Sequence, residues 1–499
     1  MKNYLNQVVQ LVILVIGGLI LLYWLPPMQL MGIQLRPVDI LSDIRVSTPE
    51  DTPSDLLAST KTWQPDTALP EEEEKEAKEE DKTTDTPVVH EPSAPTYISE
   101  RLREHLATCT PPQGVTPIVD YADSLERGMK PFYNALQKLA QKRRPVRIAY
   151  YGDSFIQGDI LTADLRMFLQ EEYGGAGVGF MDIANAFPRF RRSVIHSFNG
   201  WKSHMFSDTI DFYRDAQSLN GRYFCPDSLA YIQLKGQKKR YAHLDSCQRS
   251  QIFFQNNRPF HLTASVNGHI LKDFSIEPNK QMQSRTIVSP MQRVRWTVHA
   301  EAQNDSLPSL RFYGVTMEDT TGIILDNLAM QGSAGVHLAT LPYATMKRFD
   351  QERPYDLIVL QYGLNVATRN VTNYTYYVHM MSRIIRRLKK QYPEAGFLLV
   401  GIGDREYKDG NGDMHTMPGV LSLMEYQKEI AQENHIAFWD MYQAMGGEGS
   451  IVEMVNHKPA LANQDYTHIN FLGGKRIARL LFNSLEYGKK HYDQITQDM

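Results

Sequence analysis

The sequence predicts an α/β protein in which a three-layer, doubly wound parallel sheet is interrupted by an antiparallel β segment. Four apolar runs lack alternation, as parallel strands buried on both faces do. They span 146–151, 356–361, 396–402 and 436–439. Amphipathic stretches separate these runs, which is typical of helices that cover both faces of a sheet. Between about 200 and 311 the pattern changes to period two, which is typical of antiparallel strands.

The N-terminal stretch 8–25 carries no charge and is long enough to cross a bilayer. It ends in Tyr23-Trp24-Leu25-Pro26-Pro27, without a small-x-small cleavage site. We therefore expect residues 1–46 to hold an uncleaved transmembrane anchor and a juxtamembrane segment. Because Lys2 precedes the span, we expect the N-terminus to be cytoplasmic and the remaining chain to lie outside the cytoplasm. In a Gram-negative cell this is the periplasmic side of the inner membrane.

Residues 47–96 differ from the rest of the chain in composition. Pro, Thr, Ser and Asp are frequent, and the stretch 71–81 contains eight acidic residues. A segment of this kind buries too little apolar surface to fold, so we expect a disordered acidic linker. The main domain is then predicted at 97–490, with the β-rich insert at about 200–311 inside it.

The helical periodicity of the main domain predicts five helices. They are expected at 123–141, 162–173, 376–392, 421–434 and 471–487. The strongest local signal in the β-rich insert is Asn267-Gly268, which separates two alternating runs. This dipeptide predicts a two-residue hairpin turn.

Composition excludes several classes of function. The net charge is −4 and no long basic stretch occurs, so we expect no nucleic-acid partner. The three cysteines, Cys109, Cys225 and Cys247, form no Cys-x-x-Cys pair, so a zinc or redox site of that type is not predicted. Cys225 and Cys247 either form a disulfide or remain free. The glycine-rich stretch 174–179 follows a helical pattern and is interpreted as a turn, not a dinucleotide loop.

The first strand ends at Gly152-Asp153-Ser154, which places a serine at the carboxyl edge of the sheet, where open α/β sheets keep their active sites. Asp465 precedes His468 by three residues, just before a predicted helix. In this spacing the carboxylate can orient the imidazole, whose other nitrogen can then deprotonate a serine hydroxyl. Asp153 itself is predicted to cap the turn.

Two further segments can supply donors for an oxyanion. Gly332 lies in a loop that follows the strand-like stretch 322–325, and Asn365 follows the strand 356–361. Both loops should open at the same edge of the sheet as Ser154. A glycine N–H and an asparagine amide are groups that stabilise developing negative charge.

In these motifs the chain resembles the SGNH (GDSL-like) hydrolase superfamily, over about 145–200 and 312–490. The resemblance implies an SGNH/flavodoxin-like fold, a catalytic triad of Ser154, Asp465 and His468, and no metal or cofactor. It implies an oxyanion hole of Ser154, Gly332 and Asn365. The third block departs from the family pattern, because Val366 follows Asn365 where the family usually has Asp. The position of the insert resembles that of the carbohydrate-binding-like domain in peptidoglycan O-acetylesterases.

Other residues have two interpretations. Asp404 ends a strand and either lines the site or forms a salt bridge with Arg405 or a neighbour. Trp201 and Trp296, near or in the insert, either stack on a sugar ring or pack in the core.

The expected function is that of a membrane-tethered, extracytoplasmic serine esterase that removes O-acetyl groups from a cell-envelope polysaccharide such as peptidoglycan. Its partners would be the acetylated glycan and the membrane. Two alternatives use the same residues. One is an O-acetyltransferase that works with a membrane acyl-export partner and yields acetylated glycan instead of acetate. The other is a non-catalytic glycan-binding protein, which no fluorophosphonate probe would label.

Overall fold

The fold was analysed on a computed structural model of the chain. The structure describes residues 97–208, 212–301 and 309–497, together with β1 (Gln29–Leu30) and β2 (Ile33–Gln34). The two short strands pair antiparallel.

The predicted transmembrane anchor at 8–25 and the predicted linker at 47–96 lie outside the described residues. Within the part of the chain that the structure describes, no helix has the length and apolar character needed to cross a membrane. Every element after β2 belongs to one compact unit, which covers residues 92–499.

The remaining strands are, in chain order, β3 (Val119–Asp120), β4 (Val146–Gly152), β5 (Gly177–Met181), β6 (Val194–Met205), β7 (Arg222–Gly236), β8 (Cys247–Asn256), β9 (Phe260–Val266), β10 (His269–Ile276), β11 (Asn279–Met291), β12 (Arg293–His299), β13 (Leu310–Glu318), β14 (Ile323–Ala329), β15 (Leu357–Gln361), β16 (Gly396–Val400), β17 (Glu406–Lys408), β18 (Met414–Thr416) and β19 (Ala437–Trp439). The α-helices are α1 (Ile98–Thr108), α2 (Lys130–Gln137), α3 (Thr162–Tyr173), α4 (Tyr343–Glu352), α5 (Thr375–Gln391), α6 (Pro418–Glu433), α7 (Met441–Met445), α8 (Ser450–Asn456) and α9 (Phe471–Gln497). Short 3-10 helices span Leu139–Gln141, Gln157–Asp159, Arg214–Ala216 and Val336–Thr340.

The central sheet has six strands in the order β14-β4-β15-β16-β19-β3. All neighbours are parallel except β3, which pairs antiparallel with β19 at one edge. The chain goes from β4 outward to β14 on one side and then returns to β15 on the other side. The order of the strands therefore reverses at β4. Open α/β sheets bind their ligands beside such a reversal, at the carboxyl ends of the strands.

Two hydrophobic cores cover the two faces of the central sheet. One contains buried side chains of α2, α3 and α9, such as Phe132, Leu165 and Leu481. The other contains side chains of α4, α5 and α6, such as Phe349, Ile385 and Ile430. The predicted three-layer, doubly wound α/β arrangement is confirmed.

The second large sheet is antiparallel and has nine strands. Seven of them follow the order β10-β9-β12-β7-β13-β8-β11, while β5 pairs with β13 and β6 pairs with β7. The predicted hairpin joins β9 to β10, and Asn267 and Gly268 have φ of 52° and 101°. Positive φ at both positions is what a type I′ turn requires. The sheet begins at Gly177, earlier than the predicted boundary at about 200, and ends at Glu318.

The antiparallel sheet shares a core with the α/β part of the chain. Phe180 of β5, Phe253 of β8 and Tyr313 of β13 all pack on Phe349 of α4, with ring centroids 6.3, 5.2 and 5.7 Å apart. The segment is therefore joined to the α/β part by a common apolar layer as well as by its two chain connections.

Buried charges reinforce the same junction. Arg353 follows α4, and its guanidinium contacts Glu318 at the end of β13 and Asp326 in β14, at 2.6 and 2.7 Å. All three side chains are fully buried. The ion pairs therefore connect a strand of each sheet through one guanidinium.

Two local predictions were wrong, and the alternative left open for Cys225 and Cys247 is decided. The helix predicted at 123–141 is shorter, because the Asp120 carboxylate accepts the N–H of Met129 and Glu126 has φ of 49°, so the chain turns before α2 begins. The glycine-rich stretch is only in part a turn, because Gly177 starts β5. A side chain there would lie 2.2 Å from the backbone oxygen of Met317. All three cysteines are free, so Cys225 and Cys247 form no disulfide.

Candidate active site

Ser154 follows β4, which is buried along its whole length. Gly152 lets the neighbouring strand approach closely, since a Cβ there would lie 2.9 Å from the backbone oxygen of Gln361 in β15. The Asp153 carboxylate accepts the N–H of Phe155 at 3.0 Å and so turns the chain away from the strand. The turn predicted from Gly152-Asp153-Ser154 thus presents the serine at the edge of the sheet.

The structure brings the predicted triad together. Ser154 Oγ lies 3.2 Å from His468 Nε2, and His468 Nδ1 lies 2.8 Å from Asp465 Oδ2. The other carboxylate oxygen of Asp465 accepts the backbone N–H of Thr467 and of His468. These contacts fix the carboxylate so that Nδ1–H donates to it and the lone pair of Nε2 faces the serine hydroxyl.

The same contacts set the protonation of the pair. The hydrogen bond to Asp465 raises the pKa of His468 above its usual value, and burial opposes this only in part. Burial alone would raise the pKa of Asp465, but the hydrogen bonds from His468 and Thr467 outweigh it and lower the pKa. Asp465 is therefore ionised at neutral pH and is placed to stabilise an imidazolium when His468 takes up a proton.

The loop that carries the histidine is anchored at both ends. Asn463 N–H donates to the backbone oxygen of His468 at 2.8 Å, and Tyr466 between them has φ of 50°. The Asn470 side chain accepts the N–H groups of Leu472 and Gly473 and caps the start of α9. His468 is thus held between a closed turn and a capped helix.

Gly332 lies in a tight turn after β14. Ser333 N–H donates to the backbone oxygen of Met330, and Gly332 inside this turn has φ of 72°. Met330 N–H in turn donates to the backbone oxygen of Gly152 at 2.8 Å, which attaches the loop to the end of β4. No atom lies within 4 Å of a Cβ built at Gly332, so this part of the loop is open to an incoming group.

Asn365 lies in the loop after β15, and its amide is oriented by two acceptors. Nδ2 is 3.3 Å from Asp153 Oδ2 and 3.2 Å from the backbone oxygen of Ser333. These contacts tie the loops after β4, β14 and β15 to one another. The candidate oxyanion donors, Ser154, Gly332 and Asn365, therefore come from three adjacent strands at the reversal point of the sheet.

Asp153 is more than a cap for the turn. Its side chain is buried next to His468 and Asn365, and burial raises the pKa of Asp153 to about 6. The hydrogen bonds from Phe155 and Asn365 and the charge of His468 lower it, but burial outweighs them. No local pattern predicts this raised pKa, because residues more than 200 positions away, such as Asn365, form part of the environment of the carboxylate.

Asn327 in β14 is a positioning residue that the sequence analysis passed over. Its side-chain amide donates to the backbone oxygen of Ile156, to Asp159 and to Thr162, at 2.7, 3.0 and 2.6 Å. It thereby holds the segment after Ser154 against the neighbouring strand. Its place in the buried strand β14, where a polar side chain needs partners, was the available signal.

Asp159 forms the centre of the same network. It is fully buried and pairs with Arg166 at 3.1 Å and with Arg191 at 2.8 Å. Burial alone would raise its pKa, but the two guanidinium groups outweigh this and hold the pKa far below the usual range. The loop after Ser154 is therefore fixed by an ionised carboxylate at its base.

The alternatives left open for other residues are now resolved. Asp404 accepts hydrogen bonds from Thr416 Oγ1 and from the N–H of Ile451 at the start of α8. Among the described residues, its carboxylate forms no salt bridge with the side chain of Arg405 and no hydrogen bond with a triad residue. Trp296 is fully buried. Trp201 donates its indole N–H to the backbone oxygen of Tyr231 and packs edge-on against Phe312, so both tryptophans belong to the packing of the β-rich sheet.

One group of potential metal ligands occurs among the described residues: His105, Cys109 and His491. None of them belongs to the triad. Spacing along the sequence could not predict this group, because His491 follows His105 by 386 positions.

The fold and the site together define the class of protein, an α/β protein with a Ser154–His468–Asp465 triad at the carboxyl edge of its central sheet. Among solved structures, a peptidoglycan O-acetylesterase is similar, with a TM-score of 0.60 and 23% identity over 75% of this chain and 99% of that chain. At this identity the likeness shows a shared fold. The predicted resemblance is confirmed at that level.

Two more distant structures complete the comparison. A family two carbohydrate esterase from Clostridium thermocellum has a TM-score of 0.26 and 13% identity, over 58% of this chain and 98% of that chain. An acetyl xylan esterase has a TM-score of 0.24 and 16% identity, over 32% of this chain and 79% of that chain. Similarity this low supports no conclusion about this chain. The sequence matches no protein-family model and no curated protein.

Proposed function

We propose that this protein is a membrane-tethered, extracytoplasmic serine esterase that removes O-acetyl groups from a cell-envelope polysaccharide such as peptidoglycan. The observation that carries the proposal is the geometry of the triad, with Ser154 Oγ 3.2 Å from His468 Nε2 and His468 Nδ1 2.8 Å from Asp465. A serine in this contact is activated for attack on an ester carbonyl.

The first half-reaction transfers the acetyl group to the enzyme. Ser154 Oγ bonds to the carbonyl carbon while its proton moves to His468 Nε2. The carbonyl oxygen becomes an oxyanion, which the N–H groups of Ser154 and Gly332 and the amide of Asn365 stabilise. When the bond to the sugar oxygen breaks, His468 returns its proton to that oxygen, and acetyl-Ser154 remains.

The second half-reaction repeats these steps with water. His468 takes a proton from the water, and the resulting hydroxide attacks acetyl-Ser154 through a second oxyanion. The bond to Ser154 Oγ then breaks, the serine recovers its proton from His468, and acetate leaves. Asp465 keeps its negative charge throughout and stabilises the imidazolium in both halves.

A concave polar surface on the antiparallel sheet supports a polysaccharide substrate. A cavity of about 480 Å³ is lined by the side chains of Gln233, Thr263, Ser265, Ile270, Arg293, Arg295, Thr297 and His299, together with Gly268. Arg295 lies flat on the ring of Tyr231, with its guanidinium carbon 3.7 Å from the ring centroid. Hydroxyl, amide and guanidinium groups arranged in this way offer hydrogen bonds to sugar hydroxyls and carboxylates.

Three further facts favour the cell envelope. A solved structure with the same fold is that of a peptidoglycan O-acetylesterase. The uncharged stretch 8–25 has the length of a membrane span, and the acidic stretch that follows has the composition of a linker. A tethered domain of this kind would act on a polymer close to the membrane.

The test is acetate release from O-acetylated peptidoglycan by the full chain. We expect wild type and Ser422→Ala, which changes a serine on α6, to release acetate and to be labelled by a fluorophosphonate probe. Ser154→Ala should do neither while it keeps its circular dichroism spectrum. Acetylated glycan formed in place of acetate would identify a transferase. Absence of labelling and of turnover in folded wild type would identify a binding protein.

A further inference from the structure

Three potential metal ligands meet between the first and the last helix of the folded domain. His105 lies in the last turn of α1 and Cys109 follows at its C-terminal cap, while His491 lies near the end of α9. His105 Nε2 is 2.9 Å from His491 Nδ1 and 3.6 Å from Cys109 Sγ. The three donor atoms all lie within 4.8 Å of one another.

The helical spacing explains how α1 supplies two of the three. Residues four apart lie on the same face of a helix, so His105 and Cys109 both point towards α9. On α9, His491 follows Tyr487 by the same spacing, and the two rings pack edge to face with centroids 4.5 Å apart. The tyrosine ring therefore supports the imidazole from one side.

Two groups compete for one nitrogen of His105. An imidazole nitrogen offers either one N–H or one lone pair in the plane of its ring. His105 Nε2 faces two groups at once, His491 Nδ1 and Cys109 Sγ, so it can satisfy only one of them. A single cation between the three atoms would accept a lone pair from each.

We propose that His105, Cys109 and His491 bind a zinc ion that joins α1 to α9. Two imidazoles and a thiolate are ligands that zinc prefers, whereas calcium and magnesium take oxygen ligands. In a tetrahedral centre with Zn–N bonds of about 2.0–2.1 Å and a Zn–S bond of about 2.3 Å, donor atoms lie roughly 3.3–3.7 Å apart. The 3.6 Å contact falls within this range, and a small movement of one ring brings the 2.9 Å contact to it.

The site has a route for the metal and a place for a fourth ligand. His105, Cys109 and His491 are all half-buried, so one side of the group remains accessible to solvent. Water completes the tetrahedron there. Among the described helices of the domain, α1 is the first and α9 is the last, so the ion cross-links two helices that are far apart in the sequence.

The first experiment measures metal content. Full-length protein is prepared in zinc-supplemented medium and analysed by mass spectrometry for zinc and copper. We expect about one zinc per chain in wild type and in the control Cys225→Ser, and less than about one fifth of that in Cys109→Ala and His491→Ala. Equal zinc content in all four proteins would overturn the proposal. Copper in place of zinc would overturn the identity of the metal.

The second experiment keeps the proposal testable if a variant fails to fold. Wild type is stripped by chelation and titrated with zinc alone, and its melting temperature is recorded. Zinc should raise the melting temperature by at least about 3 °C, because an ion that binds only the folded state stabilises it. Cobalt should give a thiolate charge-transfer band in wild type and in Cys225→Ser. If stripped wild type gains neither the shift nor the band, no metal site exists.

Discussion

The side-chain amide of Asn365 donates a hydrogen bond to the buried carboxylate of Asp153, with 3.3 Å between Nδ2 and Oδ2. The second N–H of the same amide faces the backbone oxygen of Ser333 at 3.2 Å. Both hydrogen bonds are long and therefore weak. One N–H can exchange its acceptor for an oxyanion with little loss of free energy, while the other N–H keeps the amide in place. Asp153 is therefore a positioning residue for the third oxyanion donor.

Asn365→Ala is expected to lower kcat by about 10²- to 10³-fold, since this is the usual cost of removing one oxyanion donor. KM for a small acetyl ester should change little, because the amide acts mainly when charge develops. Steady-state kinetics provide the measurement. Asn411→Ala, which changes an exposed asparagine in a loop, is the matched control. A loss of less than about threefold would show that Asn365 does not contact the oxyanion.

The substitution Asp153→Asn tests two effects of the buried carboxylate, one on the pH dependence of stability and one on activity. In wild type the pKa of Asp153 is about 6 in the folded state, against 3.8 for a solvated carboxyl, so the folded state binds the proton more tightly. The wild-type free energy of unfolding should therefore fall by roughly 3 kcal/mol as pH rises from about 4 to above 6.

In Asp153→Asn the free energy of unfolding should lose most of this dependence on pH, because the asparagine carries no charge. The variant should also lose activity in the direction of Asn365→Ala, since its amide nitrogen cannot accept from Asn365. Urea unfolding at about pH 4 and pH 7.5 measures the first effect and kcat measures the second. The same pH dependence in both proteins would contradict the burial of an ionised Asp153.

Asp465→Asn is expected to move the acidic limb of the activity profile. The hydrogen bond that His468 Nδ1–H donates to Asp465 raises the pKa of His468, and the proposed catalysis requires the neutral imidazole. In wild type kcat/KM should therefore rise with pH through a value above the ordinary range of histidine. In the variant the limb should lie at lower pH, and kcat should fall by about 10⁴-fold, as in serine proteases with the same change. A limb that does not move would assign the titration to another group.

Arg353→Met is expected to destabilise the fold by about 3–5 kcal/mol, because it removes the guanidinium that the buried carboxylates of Glu318 and Asp326 share and leaves Glu318 paired with Arg147 alone. Arg348, on the helix that precedes Arg353, provides the control. It pairs with Glu352 but is 39% exposed, so Arg348→Met should cost less than about 1 kcal/mol. Chemical denaturation measures both. Equal costs would mean that the buried pairs do not connect the two sheets energetically.

Arg293→Ala and Arg295→Ala test the polar surface of the antiparallel sheet. Deletion of the whole β-rich insert is a poor test, because its strands share a core with Phe349. The two substitutions should raise KM for O-acetylated polymer and leave turnover of a small acetyl ester unchanged, because remote binding energy acts only on the larger substrate. Lys280→Ala, on an exposed part of β11, is the control. An unchanged KM for the polymer would show that this surface does not bind the substrate.

Much of the α/β architecture was predictable, because periodicity reports burial. The helix predicted at 162–173 coincides with α3, and the parallel strands agree within about two residues. The contacts among Ser154, His468 and Asp465 were predictable because Asp465 and His468 lie three positions apart and Ser154 follows a recognisable strand. Short local patterns carried this information.

The parts that could not be predicted depend on residues distant in the chain. β5 was missed because Gly177 and Gly179 resemble turn residues, whereas their role is to permit close approach to Met317 and Asp326. The raised pKa of Asp153 and the meeting of His105 with His491 arise only when separate elements pack. No spacing rule along the sequence contains such contacts.

Ser154 and His468 are 314 positions apart, and β4 pairs with β14 only after the nine-stranded sheet between them has been synthesised. Ser154 therefore leaves the ribosome long before His468, and the two side chains meet only after the loop that carries His468 has docked. Contacts this far apart in sequence also form slowly. Reaction of Ser154 with an active-site probe would accordingly report that the whole domain has been synthesised and folded. Chains that stop before residue 468 would not be labelled.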